Sequence, residues 1–174
     1  MSERAARPPA LAARDAPAAR PPSADDRVTV ASLLGREPGG DFEICVRDVH
    51  GRPVVIRNAP LLHDGTPMPT LYWLVDPDLR AAVSRLEAAG GVRQAASAVD
   101  PVALERSHAA YAAERDAALR AGHAGPVPSG GVGGTRQGVK CLHAHLAWWL
   151  CGAADPVGAW VADRVGVDRS RYVR

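Results

Sequence analysis

A chain of 174 residues with 47% hydrophobic side chains can bury one real core but hardly two. A net charge of +2, with arginines interspersed among acids, gives no nucleic-acid footprint. No run approaches the roughly 18 apolar residues of a membrane span, and three widely spaced cysteines point to a reducing cytoplasm rather than a disulfide framework.

Residues 1–26 are rich in Ala, Pro and Arg and almost free of large apolar side chains, so they cannot offset their ordering entropy. They read as a disordered tail, and residues 27–174 as a single globular domain. A short helix over 28–34 would be closed by Gly35. Phe42, Ile44 and Val46 then alternate with Glu43, Cys45 and Arg47, the period-two pattern of a half-buried strand with Cys45 on its polar side. A turn over 49–52 returns the chain as a second strand, 53–57, and 71–75 has the composition of a third. The connection between them, 58–70, is stiffened by proline and carries the turn signal Asp64-Gly65. Polar connections between strands often carry function, which makes His63, Asp64 and Thr66 candidate ligand-binding side chains.

Asp76-Pro77, Asp100-Pro101 and Asp155-Pro156 each set a carboxylate at a helix N-cap and proline at the first helical position. The first of these helices shows Leu79, Ala82, Val83 and Leu86 at helical spacing and stops at Gly90-Gly91. The second runs to about residue 121, with His108 on its apolar stripe as a satisfied, partly buried histidine. Glycine and proline dominate 122–138, a loop, and a further helix over 139–151 precedes the one that starts at Asp155-Pro156. The fold class expected is α+β: a small antiparallel sheet of about three strands covered by about four helices.

The densest chemistry lies where the glycine-rich loop meets that last-but-one helix. Gly133, Gly134 and Arg136 lead into Lys140, Cys141, His143 and His145, and Lys140 is the only lysine in the chain. An ammonium is a compact point charge, unlike the planar arginine fork, so a lone lysine here marks the place. On a helix over 139–151, Cys141 and His145 share one face with Trp148, and His143 points the other way.

Three readings compete. A thiolate and an imidazole are good zinc ligands, but two ligands do not hold zinc, and His63, His50 or Asp64 would have to complete the set. Alternatively Cys141 is a nucleophile, its thiolate favoured by Lys140 and the helix N-terminus, with His145 as base. Exposed backbone N–H groups after Gly138 would then bind an oxyanion or phosphate, the glycine-rich lead-in with Arg136 being at best a generic nest for an anionic small molecule. The third reading is structural: Cys141 packs as a small apolar group, Leu142, Leu146 and Trp149 are buried, and the histidines bridge polar groups.

The segments 64–74, Ser84-Arg85-Leu86-Glu87, Val139-Lys140-Cys141-Leu142-His143 and Asp155-Pro156-Val157-Gly158 together resemble an actinobacterial family of unknown function, the domain-of-unknown-function family five-zero-one. The resemblance runs from about Val28 to Val165. It implies a cytoplasmic protein and, from genomic neighbours, a contextual link to cell division or phosphate metabolism. It implies no reaction. Where relatives carry a cysteine after the hairpin arginine and a Cys or His before the first helix proline, this chain has Asp48 and Asp76. The expected function is thus a ligand, anion or metal site on Lys140, Cys141, His143 and His145, approached by the 64–70 loop and the glycine-rich loop. The alternative is a non-catalytic interaction protein of the cell-division or envelope machinery, with an exposed apolar patch around Trp148 and Trp160.

Overall fold

The computed structural model describes residues 21–174, so most of the expected tail lies outside the described residues. Helical structure begins earlier than expected. Ser23 caps α1 (Ala24–Leu34) in a reciprocal capping box with Asp26, and Asp26 also pairs with Arg47 at 2.9 Å. Residues 23–26 therefore belong with the folded part, and the charge and hydroxyl that looked like tail composition are a helix start.

The strands are β1 (Phe42–Arg47), β2 (Pro53–Asn58) and β3 (Tyr72–Leu74), antiparallel in the order β1-β2-β3. Five further helices follow: α2 (Pro77–Ala88), α3 (Gly91–Ala98), α4 (Pro101–Ala117), α5 (Leu142–Leu150) and α6 (Pro156–Val165). The expected α+β class holds, with six helices in place of about four. Five of the six correspond to helices expected at 28–34, after Asp76 and Asp100, at 139–151 and after Asp155, and the unforeseen one is α3. Gly90 takes a left-handed turn (φ 85°) and Gly91 restarts the helix at once, where a Cβ would lie 2.6 Å from the Leu86 carbonyl oxygen. The double glycine thus ends α2, as expected, and also turns the tight corner into α3.

The strict alternation expected in β1 fails at its centre. Ile44 faces Ile56, but the next partners are Val46 and Val55, which leaves Cys45 as an extra residue; Val54 is the compensating extra residue on β2. Phe42 and Ile56 accordingly pack with Val30 and Val75 under α1, whereas Val46, Val54, Val55 and Leu74 join the larger core formed with α2 to α6. Both faces of the sheet are covered. The C-terminal Val173 pairs with Arg47, N–H to carbonyl in both directions at 2.8 and 2.9 Å, on the outer edge of β1. No helix among the described residues is long and apolar enough to cross a membrane.

Candidate functional site

Helix α5 starts three residues later than its sequence pattern suggests, and this changes which side chains meet. Cys141 is the N-cap, extended at φ −143° and ψ 113°, and its thiol makes no capping bond. Outside the helix it has no i,i+4 relation to His145. It meets His143 instead, with Sγ 3.9 Å from Nδ1. The unpaired amide at the start of α5 is taken from outside: Leu142 N–H donates to Glu87 Oε1 at 2.7 Å. That carboxylate oxygen also lies 3.3 Å from His143 Nδ1.

The other side of the His143 ring is fixed by α2. Its Nε2 is 3.2 Å from the Arg80 carbonyl oxygen and 3.2 Å from Ser84 Oγ. A carbonyl only accepts, so Nε2 carries a proton and the neutral ring turns its Nδ1 lone pair toward Cys141 and Glu87. Burial disfavours the imidazolium, but the Cys141 thiol, the Arg80 carbonyl and the Glu87 carboxylate outweigh it and hold His143 above the ordinary histidine range.

One thiol, one ring nitrogen and one carboxylate thereby converge, all within 4.8 Å of one another. Ligand bonds of about 2.0–2.3 Å at tetrahedral angles put neighbouring ligand atoms about 3.3–3.7 Å apart. The observed 3.3 Å and 3.9 Å separations are close to those edges. The ring proton held by a backbone carbonyl is the usual outer support of a metal-binding histidine. Among the described residues no other trio of His, Cys, Asp and Glu is so placed.

Cys141, His143 and Ala144 line an open groove of about 470 Å³. Apolar Leu34, Trp73 and Leu74 and polar Thr70, Arg80 and Ser84 line it with them. The glycine-rich loop reaches the site: a Cβ on Gly133 would touch Cys141 and Ala144 at 3.5 and 3.6 Å, and one on Gly134 would press on Pro69 at 3.1 Å. Four N–H groups of this loop are used internally: Gly131 to Thr135, Gly134 to Gly131, Thr135 to Val132, and Val132 to His108 Nδ1. Arg136 and Lys140 are exposed, without a hydrogen bond or ion pair among the described residues.

His145 stands apart. It is fully buried, with Nδ1 2.9–3.0 Å from both carboxylate oxygens of Asp155, itself 1% exposed. Asp155 also caps α6 through Gly158 N–H. Gly158 has no room for a side chain, because a Cβ would collide with Trp149 Cβ and lie 2.5 Å from the His145 carbonyl oxygen. The expected Cys141–His145 pair is therefore replaced by two separate arrangements, Cys141–His143–Glu87 on one side of α5 and the His145–Asp155 clasp on the other.

The 58–70 loop contributes its far end only. Asp64 accepts Thr66 N–H at 2.9 Å in a closed turn, and exposed His63 faces Asp41 at 3.4 Å. None of His63, Asp64 and Thr66 lines the groove, whereas Thr70 does. His50 and Asp48 form the β1–β2 turn, His50 N–H donating to Asp48 at 2.8 Å, and Asp76 caps α2. The residue that sequence reasoning missed is Glu87. Its signal was available: Arg80, Ser84 and Glu87 recur at spacings of four and three, a polar stripe beside the apolar one of α2.

The family described as "Protein of unknown function (DUF501)" matches residues 44–163, more than half of the chain, and the protein belongs to it. No curated protein and no solved structure matches it. Two of the segments that carried the family resemblance, 84–87 and 139–143, supply all three converging side chains.

Proposed function

We propose that this is a cytoplasmic metal-binding protein that holds one divalent zinc-class ion between Glu87, Cys141 and His143. The observation that carries the reading is that thiol, carboxylate and ring nitrogen lie within 4.8 Å of one another while the Arg80 carbonyl sits against the opposite ring nitrogen. Three protein ligands leave one coordination position for water or a ligand, and the groove beside Cys141 and His143 supplies the approach. Soft thiolate and imidazole donors favour zinc over magnesium or calcium. Three unpaired thiols fit a reducing compartment.

Elemental analysis of protein purified without chelator tests this. One zinc per chain is expected, with affinity lowered about 10–100-fold or more in Cys141→Ser, His143→Ala and Glu87→Gln. A metal-free chain that also fails to take up zinc or cobalt would overturn it.

A nucleophilic Cys141 is the second reading, favoured by its position in the groove. Against it stands the placement of the carboxylate. An acid that orients a catalytic histidine bonds the nitrogen remote from the nucleophile, and Glu87 sits on the same one. Of the two residues on which the interaction reading rested, Trp148 is only 7% exposed and donates its indole N–H to Glu114 at 3.0 Å, while half-buried Trp160 stacks under Arg164.

A further inference from the structure

The groove beside the proposed metal-binding trio has a mixed lining. Leu34 from the last turn of α1 and Trp73 and Leu74 from β3 supply apolar surface. Arg80 and Ser84 from α2 supply polar groups. Arg80 is fixed at two points. Its carbonyl accepts from His143 Nε2, and its guanidinium Nη1 donates to the Leu33 carbonyl at 2.9 Å, which ties the end of α1 to the mouth of the site. A guanidinium carries five N–H donors, so this bond leaves others free to face a ligand. The volume of about 470 Å³ falls within the range of small-molecule sites, roughly 300–1,000 Å³.

We infer that the groove binds small molecules with a carboxylate or other carboxyl-derived head group on an apolar body. The head oxygen takes the open metal position, Arg80 neutralises the head, and the apolar body lies along Leu34, Trp73 and Leu74. This rests on the metal reading above. Charge and polarity complementarity support this: a cation and a Lewis-acid position in one groove call for an anionic or polarised oxygen, and the apolar lining beside them offers burial to carbon. A purely ionic ligand such as free phosphate would leave the apolar lining bare, and an uncharged hydrocarbon would leave Arg80 and the metal without a partner.

Hydroxamates, which chelate metals through the same kind of oxygen head, are suitable probes on the full chain loaded with cobalt. The visible absorption of the cobalt ion reports first whether metal is bound and then whether a ligand joins it. Octanohydroxamate is expected to bind at least tenfold more tightly than acetohydroxamate. Leu34→Asp should bring the octanoyl compound down to the acetyl value without changing cobalt uptake. Arg80→Ala keeps the backbone carbonyl that holds His143, so cobalt should still bind while both hydroxamates weaken severalfold. Equal affinity for the two probes, or octanohydroxamate binding indifferent to Leu34→Asp and Arg80→Ala, would overturn the groove assignment and leave the metal site standing. Absence of a cobalt spectrum in the unaltered chain would overturn both.

Discussion

Two histidines two residues apart on α5 have opposite environments, and their substitutions should fail for opposite reasons. His145 and Asp155 are 0% and 1% exposed, so removing one partner strands the other in a dry interior. Asp155→Ala should cost about 3–5 kcal/mol, read as a lowered urea midpoint. His143→Ala, at a half-buried groove position, should lower metal affinity with a much smaller loss of stability. Thiol reactivity sorts by place in the same way. Cys141 opens on the groove, whereas burial, the adjacent Cys45 thiol and Glu114 push the Cys151 thiol well above its ordinary value. Iodoacetamide should therefore modify Cys141 well before Cys151, and zinc should protect it; mass spectrometry of the peptides over time checks both. His108 adds a pH dependence. Burial, reinforced by His145, sets its folded pKa below the ordinary value despite opposing help from the Gly138 carbonyl and Asp155. A depressed folded pKa means that its share of stability is complete above about 6.5 and is lost as pH falls through the folded value. His143, with a raised folded pKa, behaves in the opposite sense: its share is complete below about 6.5 and declines as pH rises. The urea midpoint of the metal-free chain should thus fall as pH drops below about 6.5, and His108→Gln should flatten that slope.

At the scale of elements, the start of α1 is the simplest to test. Ser23→Ala removes the cap to Asp26 N–H and should cost about 1 kcal/mol, and Asp26→Ala should cost more because the Arg47 pair goes with it. Matched thermal melts would show it; a Ser23→Ala melt unchanged from the parent would place residues 23–26 back with the tail. Much of the secondary structure was legible because its signals are local. The three Asp-Pro starts all became N-caps, each accepting a backbone N–H of its own first turn. The antiparallel order followed from a short turn and a period of two. What was not legible depends on distant partners. The bulge at Cys45 exists because Val46 is buried against helices far along the chain, and no pattern within β1 announces it. The delayed start of α5 has the same origin, since its first amide is satisfied by Glu87, 55 residues earlier. That one substitution of a distant carboxylate for a local cap moved Cys141 off the helix and exchanged His145 for His143 in the site.

For the whole molecule, the proposed ion would bridge α2 and α5, two elements separated by α3, α4 and the glycine-rich loop. Binding only the folded chain, it should stabilise by mass action, about 2.7 kcal/mol at a free concentration of 100 Kd. For a domain of this size that corresponds to a rise in Tm of roughly 5–10 °C. Calorimetry with and without zinc should show it in the parent chain and not in Glu87→Gln. Because the ligands must be deprotonated, the increment should shrink as the solution is acidified.

The proton that His145 shares with Asp155 has no route to solvent while α5 and α6 stay packed over Gly158. Such a proton should appear as a sharp resonance far downfield in a one-dimensional NMR spectrum and persist in heavy water. Its exchange rate would clock how often the seam between the last two helices parts. Since His143 lies two positions away on the same helix, that clock would also register, from inside the protein, whether an ion at the groove makes α5 open less often.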